Sequence, residues 1–169
     1  MKKKIAILGS TGSIGKNLIK IIEKDKSKFD IVLLSANKNY SKLYEQAKKF
    51  NVKNIIILDK KGYEILKNKK NDKRFKIYNS FDSFDKIFKR RVDYTMSSII
   101  GLSGLAPTLG IMKYTKTVVI SDLKNIDYDA DLVVNGFVGY NNSTVLNKFR
   151  RTCLIGPKYQ ILNEKFLKR

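Results

Sequence analysis

The sequence predicts an α/β protein with a Rossmann-like, doubly wound parallel sheet that carries helices on both faces. Short apolar runs, each long enough for one buried strand, alternate along the chain with segments in which apolar residues recur every three or four positions. The first run, residues 3–8, leads into a glycine-rich stretch at 9–15 and then into a helical pattern. A second glycine-rich turn, at 101–108, follows a later apolar run in the same way. Strands and helices that alternate at this spacing are typical of parallel sheets with right-handed crossovers.

The individual elements follow from these patterns in chain order. Ile14, Leu18, Ile21 and Ile22 predict a first helix with one apolar face. Further strands are predicted at 30–35, 54–58, 75–78, 92–100 and 117–120. Further helices are predicted at 40–50, around 63–66, over 81–88 after a cap at Ser80, and through 109–112, with a turn at 59–62. Residues 1–121 are therefore predicted to form one domain.

Composition excludes several classes of function. With 169 residues, 43% of them hydrophobic, the chain can form one domain with a core, or one domain and a small appendage. The single cysteine, Cys153, excludes an intrachain disulfide. The sequence contains no histidine, which excludes a histidine general base, a Ser–His–Asp triad and histidine-ligated metals within this chain. The apolar run at 5–8 is too short for a signal peptide and no stretch approaches a membrane span, so we expect a cytoplasmic protein without membrane contact.

The net charge of +20 raises the question of a nucleic-acid partner. Only six of the 35 basic residues are arginine, and the lysines are spread along the whole chain, as codon bias in an AT-rich genome would also produce. The densest basic stretch, 67–76, is typical of a solvated loop. We therefore expect no specific nucleic-acid partner, and only weak, salt-sensitive binding to any phosphate backbone.

The glycine-rich stretch at 9–15 is the first candidate site. Gly9, Gly12 and Gly15 are spaced so that one glycine can make a tight turn, one can let a pyrophosphate approach the backbone and one can let the helix pack on the strand. A strand, a glycine-rich turn and a helix also place backbone N–H groups and the positive end of a helix dipole before a phosphate. The pattern predicts a nucleotide-phosphate site, which a bulky residue at Gly12 should abolish. The alternative is a turn that binds nothing.

The end of the second strand indicates which dinucleotide is bound. An NAD site places an acidic residue about 20 residues past the glycines, to bind the ribose hydroxyls. Ser35 lies at this distance from Gly15, and the segment 35–39 contains no acid. Lys38, flanked by serine and asparagine donors, suits the 2′-phosphate of NADP instead. The sequence thus favours NADP over NAD.

Three segments resemble 1-deoxy-D-xylulose 5-phosphate reductoisomerase. They are residues 7–15 (ILGSTGSIG), residues 36–39 (ANKN) with Glu45 and Gln46 behind them, and residues 100–108 (IGLSGLAPT) with the strand 117–120 behind them. The resemblance implies the NADPH-binding domain of the enzyme that rearranges and reduces deoxyxylulose phosphate in non-mevalonate isoprenoid synthesis. It also implies that Thr11, Gly12, Ser13 and Ile14 contact the pyrophosphate and that Lys38 and Asn39 contact the 2′-phosphate.

The resemblance implies a path for the nicotinamide end along the turn that follows Ser98, with Gly101 in it. The complete set of candidate cofactor contacts is Gly9, Thr11, Gly12, Ser13, Ile14, Gly15, Ala36, Asn37, Lys38, Asn39, Ser98 and Gly101. No residue of the chain is assigned a catalytic role.

The sequence also departs from the reductoisomerase pattern. Asn37 stands where the family commonly has glycine, and residues 121–125 (SDLKN) replace the Ala-Asn-Lys-Glu that helps to hold the nicotinamide. The family's ligands for Mg²⁺ or Mn²⁺, its substrate-phosphate site and its catalytic loop lie further along a chain more than twice as long. The resemblance therefore implies NADPH as the cofactor and no metal site here. It leaves a homodimer or a missing catalytic domain as partners, and we expect no complete catalyst.

Residues 122–169 are predicted to be a separate segment, which either extends the sheet or is foreign to it. Residues 131–136 and 153–162 resemble the UDP-sugar hydrolases of pseudaminic acid synthesis and related GT-B glycosyltransferase-like proteins. The pattern predicts a strand, a loop, a second strand and a helix with Pro157 in its first turn and Tyr159, Leu162 and Phe166 on one face. Two alternatives to a reductoisomerase domain thus stay open: a stand-alone nucleotide-binding module and a sugar-nucleotide-binding remnant.

Overall fold

The computed structural model describes residues 1–68, 74–121, 130–136, 138–139, 141, 143–146 and 152–159. The chain divides into two compact units, Met1–Thr115 and Lys116–Arg169. No helix in the described ranges is long and apolar enough to cross a membrane.

The first unit contains a parallel sheet that confirms the predicted fold class. Its strands are β1 (Lys3–Leu8), β2 (Phe29–Ala36), β3 (Asn54–Ile57), β4 (Lys76–Tyr78) and β5 (Val92–Ser97). Their order is β4-β3-β2-β1-β5, and each neighbouring pair is parallel. The chain moves outward from β1 to β4 and then crosses back to pair β5 on the other side of β1. In such sheets, ligands bind beyond the carboxyl ends of the strands where the direction of winding reverses, which here is at β1 and β5.

Helices cover this sheet on both faces. They are α1 (Ser13–Lys24), α2 (Tyr40–Phe50), α3 (Lys60–Lys67), α4 (Phe84–Ile87) and α5 (Leu105–Met112). Ile5 and Ile7 of β1 pack in a cluster with the buried residues of α1, α2 and α3, whereas Ala6 and Leu8 pack with those of α4 and α5. Because alternate residues of a strand point to opposite faces, the apolar run of β1 contributes to both cores. Between α1 and α2, a side-chain hydrogen bond from Lys49 lowers the pKa of Glu23.

The apolar face predicted for α1 is partly wrong. The helix buries Gly15, Ile19 and Ile22, whereas Ile14 and Ile21 are 54% and 61% exposed. A Cβ atom on Gly15 would lie 2.3 Å from the carbonyl oxygen of Gly9. The glycine therefore faces the preceding turn directly, and this close contact sets the rotation of the helix about its axis.

Two predicted boundaries also differ from the structure. The fifth strand ends at Ser97 rather than at residue 100, and the N–H of Ser98 makes the last hydrogen bond to β1, donating to the carbonyl of Leu8 at 2.9 Å. The predicted turn at 59–62 is instead the start of α3, where the carboxylate of Asp59 caps the helix by accepting from the N–H of Gly62 at 2.8 Å. The predicted cap at Ser80 is confirmed, although the element that it caps begins as a 3-10 turn, Phe81–Ser83.

Strands also dominate the described part of the second unit. They are β6 (Thr115–Ser121, which starts at the boundary), β7 (Leu132–Asn135), β8 (Ser143–Leu146) and β9 (Thr152–Ile155). β6 and β9 flank β7 in parallel, and β8 pairs with β9 in antiparallel fashion. The sequence pattern missed β8, which is short and exposed at three of its four residues. At the start of the predicted last helix the structure describes a 3-10 turn, Pro157–Tyr159. The other residues predicted for its apolar face, Leu162 and Phe166, lie outside the described residues.

Candidate functional site

The candidate residues converge at the carboxyl ends of three neighbouring strands. The glycine-rich turn follows β1, the segment 37–39 follows β2, and Ser98 follows β5. Hydrogen bonds from Gly9 and Ser98 tie these segments together. The N–H of Gly9 donates to the hydroxyl of Ser35 at 3.0 Å, and the hydroxyl of Ser98 lies 2.6 Å from the carbonyl oxygen of Leu8 and 3.2 Å from that of Gly9. The structure therefore brings together residues that are about 90 positions apart in the chain.

The three glycines of the turn have different surroundings. Gly9 has φ +76°, and a Cβ there would lie 2.9 Å from the carbonyl oxygen of Ser98. Gly15 packs against the backbone of Gly9 and Ser10 at distances that no side chain allows. Gly12 is exposed with φ −73°, and the nearest atom to a Cβ there is the carbonyl oxygen of Gly9 at 3.4 Å, an ordinary contact. The fold therefore requires glycine at positions 9 and 15, but it does not require glycine at position 12.

The start of α1 differs from that of the next two helices. The side chain of Asn39 caps α2 and that of Asp59 caps α3, whereas α1 begins at Gly12 without a side-chain cap. The first N–H groups of a helix have no partner within the helix and carry the positive end of its dipole. Thr11 is partly exposed, and Ser13 and Ile14 are exposed beside this end. The start of α1 can therefore accept an anion from solvent.

The side chains of the segment after β2 do not all face solvent. Ala36 is 2% exposed and packs in the core, so only its backbone is open to a ligand. Asn37, Lys38 and Asn39 are exposed. The side-chain oxygen of Asn39 accepts from the N–H of Lys42 at 3.1 Å, which leaves its amide NH₂ group as the donor for a ligand. Lys38 is thus the one charged side chain in this segment.

Ser98 and Gly101 lie on the path assigned to the nicotinamide end. Ser98 is 8% exposed and its hydroxyl is used within the fold, so it shapes the glycine turn from the β5 side and offers a ligand little surface. Gly101 is exposed, with φ +70° and no atom within 4 Å of a Cβ position, at the start of the 3-10 turn Leu102–Gly104. Its backbone conformation, rather than close packing, is what requires glycine there.

Sequence reasoning assigned no role to a buried polar network beneath the turn. It consists of Ser10, Ser35 and Gln46, which are 0%, 1% and 4% exposed. A signal was present, because Gln46 lies on the apolar face of α2 between Leu43 and Ala47, where a polar side chain needs partners. A further hydroxyl pair joins Ser97 at the end of β5 to Thr108 of α5 at 2.7 Å.

The described part of the chain contains no group of three or more histidine, cysteine, aspartate or glutamate side chains that could hold a metal ion. Asp131 is exposed just before β7. The other aspartates of the same sequence stretch, Asp122, Asp127 and Asp129, lie outside the described residues.

The sheet order and the glycine turn are typical of nucleotide-binding α/β domains. The family model of 1-deoxy-D-xylulose 5-phosphate reductoisomerase matches residues 5–126. The chain therefore belongs to the 1-deoxy-D-xylulose 5-phosphate reductoisomerase family, and it corresponds to the N-terminal region of these enzymes.

Individual relatives agree with this assignment. The reductoisomerase of Pelagibacter ubique is 49% identical over 126 residues, which are 73% of this chain and 32% of the relative. That of Thermodesulfovibrio yellowstonii is 35% identical, over 78% of this chain and 34% of the relative. The chain thus spans about a third of the length of the curated relatives that it matches.

Solved structures show the same fold. The Zymomonas mobilis reductoisomerase in complex with NADPH superposes with a TM-score of 0.61 at 28% identity, covering 69% of this chain and 32% of that one. A reductoisomerase in complex with NADPH, fosmidomycin and magnesium gives a TM-score of 0.62 at 26% identity, covering 69% of this chain and 29% of that one.

Proposed function

We propose that this chain is the NADPH-binding domain of a reductoisomerase-type oxidoreductase of non-mevalonate isoprenoid synthesis. The observation that carries the proposal is Gly12. The fold gives no reason for a glycine there, yet the residue lies at the uncapped start of α1 with an unobstructed approach to its backbone. A pyrophosphate needs such an approach. NADPH is also the cofactor named for the solved relatives.

The described residues fit the three parts of a dinucleotide. The backbone of residues 11–14 would hold the pyrophosphate, with Gly9 and Gly15 giving the turn its shape. The backbone of Ala36 and the side chains of Asn37, Lys38 and Asn39 would hold the adenosine ribose and its 2′-phosphate. The turn around Gly101 would direct the nicotinamide, with Ser98 supporting it from beneath. Bound NADPH supplies a hydride, and the chain's own part is to bind and orient it.

Titration calorimetry of the purified chain with NADPH, NADH and a UDP-sugar tests this proposal. We expect NADPH to bind, NADH to bind more weakly and the UDP-sugar not to bind. A lack of NADPH binding, or an equal affinity for NADH, would contradict it.

Lys38 should determine the preference for the 2′-phosphate. A hydrogen bond between charged partners contributes about 1.5–3 kcal/mol, so Lys38→Ala should weaken NADPH binding roughly tenfold or more. The affinity for NADH, which lacks that phosphate, should change little. Lys20→Ala, which removes an exposed lysine from the middle of α1, is the matched control. Equal losses of NADPH affinity in the two variants would show that only the overall charge matters.

We propose that catalysis needs a catalytic domain that supplies the metal and the substrate sites, and that the partner of this chain is such a domain or a second copy of the chain. Apolar side chains beside the nicotinamide path are unusually exposed: Ile100 at 78%, Leu102 at 89%, Leu105 at 56% and Leu109 at 59%. Leu105 and Leu109 are four residues apart on α5 and share one face. Exposed apolar groups at this density favour a surface that another part of the enzyme covers.

The chain by itself should not convert 1-deoxy-D-xylulose 5-phosphate. Rearrangement requires a divalent cation to polarise the carbonyl and orient the carbons, and cofactor binding cannot replace interactions made only in the transition state. The measurement is the loss of NADPH absorbance with Mg²⁺ or Mn²⁺ and substrate, using protein from a host whose own reductoisomerase gene is deleted. Substrate-dependent turnover above background would contradict this prediction and direct attention to the aspartates at 122–131.

A sugar-nucleotide site in the second unit is the other candidate function. Its support is the turn after β9, where Gly156 has φ +111° and its N–H donates to the carbonyl of Asn135 at 2.9 Å. Lys158 follows with an exposed side chain. If a variant with a disrupted glycine turn at 9–15 still bound a UDP-sugar, the result would favour this alternative. A cytoplasmic location and the lack of a specific nucleic-acid partner stay predictions.

A further inference from the structure

Gln46 is a buried polar residue on the apolar face of α2. It is 4% exposed, and its neighbours on that face, Leu43 and Ala47, are fully buried. A buried amide without hydrogen-bond partners destabilises the folded state. The hydrogen-bond partners of the Gln46 amide therefore indicate the role of this residue.

Both polar atoms of the Gln46 side chain are bonded to Ser10, the second residue of the glycine turn. The hydroxyl of Ser10 donates to Oε1 of Gln46 at 2.8 Å, and Nε2 of Gln46 donates to the carbonyl oxygen of Ser10 at 3.1 Å. The reversed amide would place Oε1 against that carbonyl oxygen, so the bonds also fix the orientation of the side chain.

Ser10 and Gly9 are in turn held by β2. The N–H of Ser10 donates to the carbonyl of Ser35 at 2.8 Å, and the N–H of Gly9 donates to the Ser35 hydroxyl at 3.0 Å. The same helix that carries Gln46 begins at the segment proposed to hold the 2′-phosphate, where Asn39 caps it. α2 therefore touches both phosphate-binding segments, with Asn39 at one and Gln46 beneath the other.

We infer that Gln46 is a positioning residue, which holds the glycine turn in its phosphate-binding shape through Ser10 and fixes its distance from the 2′-phosphate segment. This inference rests on the proposed function. Gln46 is buried and acts on the cofactor only through the backbone that it orients. A residue that served only the stability of the core would affect unfolding, but not the affinity of the folded chain for the cofactor.

Gln46→Leu tests the inference because leucine has a similar size and cannot form either bond. NADP⁺ is the probe, measured by calorimetry beside thermal unfolding. We expect the variant to fold and to bind NADP⁺ at least tenfold more weakly than the native chain. Ser10→Ala removes the hydroxyl but keeps the backbone carbonyl that accepts from Nε2, so it should give a smaller loss. The double variant should be little weaker than Gln46→Leu, which already lacks both bonds. Glu45→Gln, at the exposed neighbouring position, should bind like the native chain.

Gln46→Glu provides a second test that does not depend on tolerance of leucine. An ionised glutamate could accept from the Ser10 hydroxyl but would turn a second acceptor toward the Ser10 carbonyl, and burial should raise its pKa. We expect weak NADP⁺ binding at about pH 8 and recovery toward native affinity at about pH 5.5, where the protonated acid can donate. The native chain measured at both pH values corrects for titration of the cofactor.

The outcomes separate the two proposals. If the native chain does not bind NADP⁺, the proposed function and this inference are both overturned. If the native chain binds and folded Gln46→Leu binds equally well, only the positioning role is overturned. If Gln46→Leu does not fold, a pH-independent affinity of Gln46→Glu relative to the native chain overturns the inference, and pH-dependent recovery supports it.

Discussion

Gly12→Asp should abolish NADP(H) binding and leave the chain at least as stable as the native protein. A Cβ at this position makes only an ordinary contact, 3.4 Å from the carbonyl oxygen of Gly9. Aspartate is preferred over glycine at a helix N-cap by a few tenths of a kcal/mol, and its charge at the positive end of the dipole contributes about 0.3–1 kcal/mol more. The same carboxylate would occupy the approach of the pyrophosphate, bond the N–H groups that should hold it, and repel its charge.

Thermal unfolding and calorimetric titration with NADPH measure the two effects on one protein sample. Gly12→Asn has nearly the same shape without the charge, so it separates blocked access from repulsion. We expect it to fold like the aspartate variant and to bind NADPH very weakly. Native affinity in Gly12→Asp would contradict the location of the pyrophosphate. A large loss of stability would contradict the conclusion that the fold leaves this position free.

In the first unit, the sequence was sufficient to predict the order of strands and helices along the chain and the existence of the glycine turn, because periodicity and glycine spacing are local properties. It could not show which glycine serves the fold and which the ligand. At Gly9 that distinction depends on the approach of Ser98, which lies about 90 residues further along the chain. At Gly15 it depends on close contacts with the backbone of Gly9 and Ser10, which exist only in the folded turn. Ala36 illustrates the same limit, because it was predicted as a contact but its side chain belongs to the core.

The sequence pattern also did not determine the rotation of α1 about its axis. The apolar residues of this helix fit more than one face, and the prediction chose Ile14 and Ile21, which are exposed. The choice is decided by a backbone contact at Gly15, a residue that contributes nothing to a hydrophobic pattern. Gln46 shows the converse: a polar residue on an apolar face was visible in the sequence, but its partner Ser10, 36 positions away, was not.

Gly15→Ala should strongly destabilise the first unit. The added Cβ would lie 2.3 Å from the carbonyl oxygen of Gly9, 2.6 Å from Cα of Ser10 and 2.8 Å from the Ser10 carbonyl carbon. All three atoms belong to the backbone, so no change of side-chain rotamer relieves the contact. α1 would have to move away from the turn, which would loosen the packing of Ile19 and Ile22. Overpacking costs about 1–3 kcal/mol and occasionally more, and we expect a loss at or above the upper end.

Gly110→Ala is the matched control, because it makes the same chemical change inside another helix of the same unit. Its Cβ would meet only the ring of Phe84, at 3.6 Å, which is an ordinary contact. Replacing a helical glycine by alanine should therefore stabilise α5 by about 0.5–1 kcal/mol. Urea unfolding of the two variants should thus show midpoints shifted in opposite directions. A Gly15→Ala variant as stable as the native chain would contradict the close packing of α1 against the glycine turn. We expect Gly15→Ala to lose stability together with NADPH binding, and Gly12→Asp to lose NADPH binding alone. These two results would show that Gly15 is needed for the structure of the turn and that Gly12 is needed for access of the cofactor.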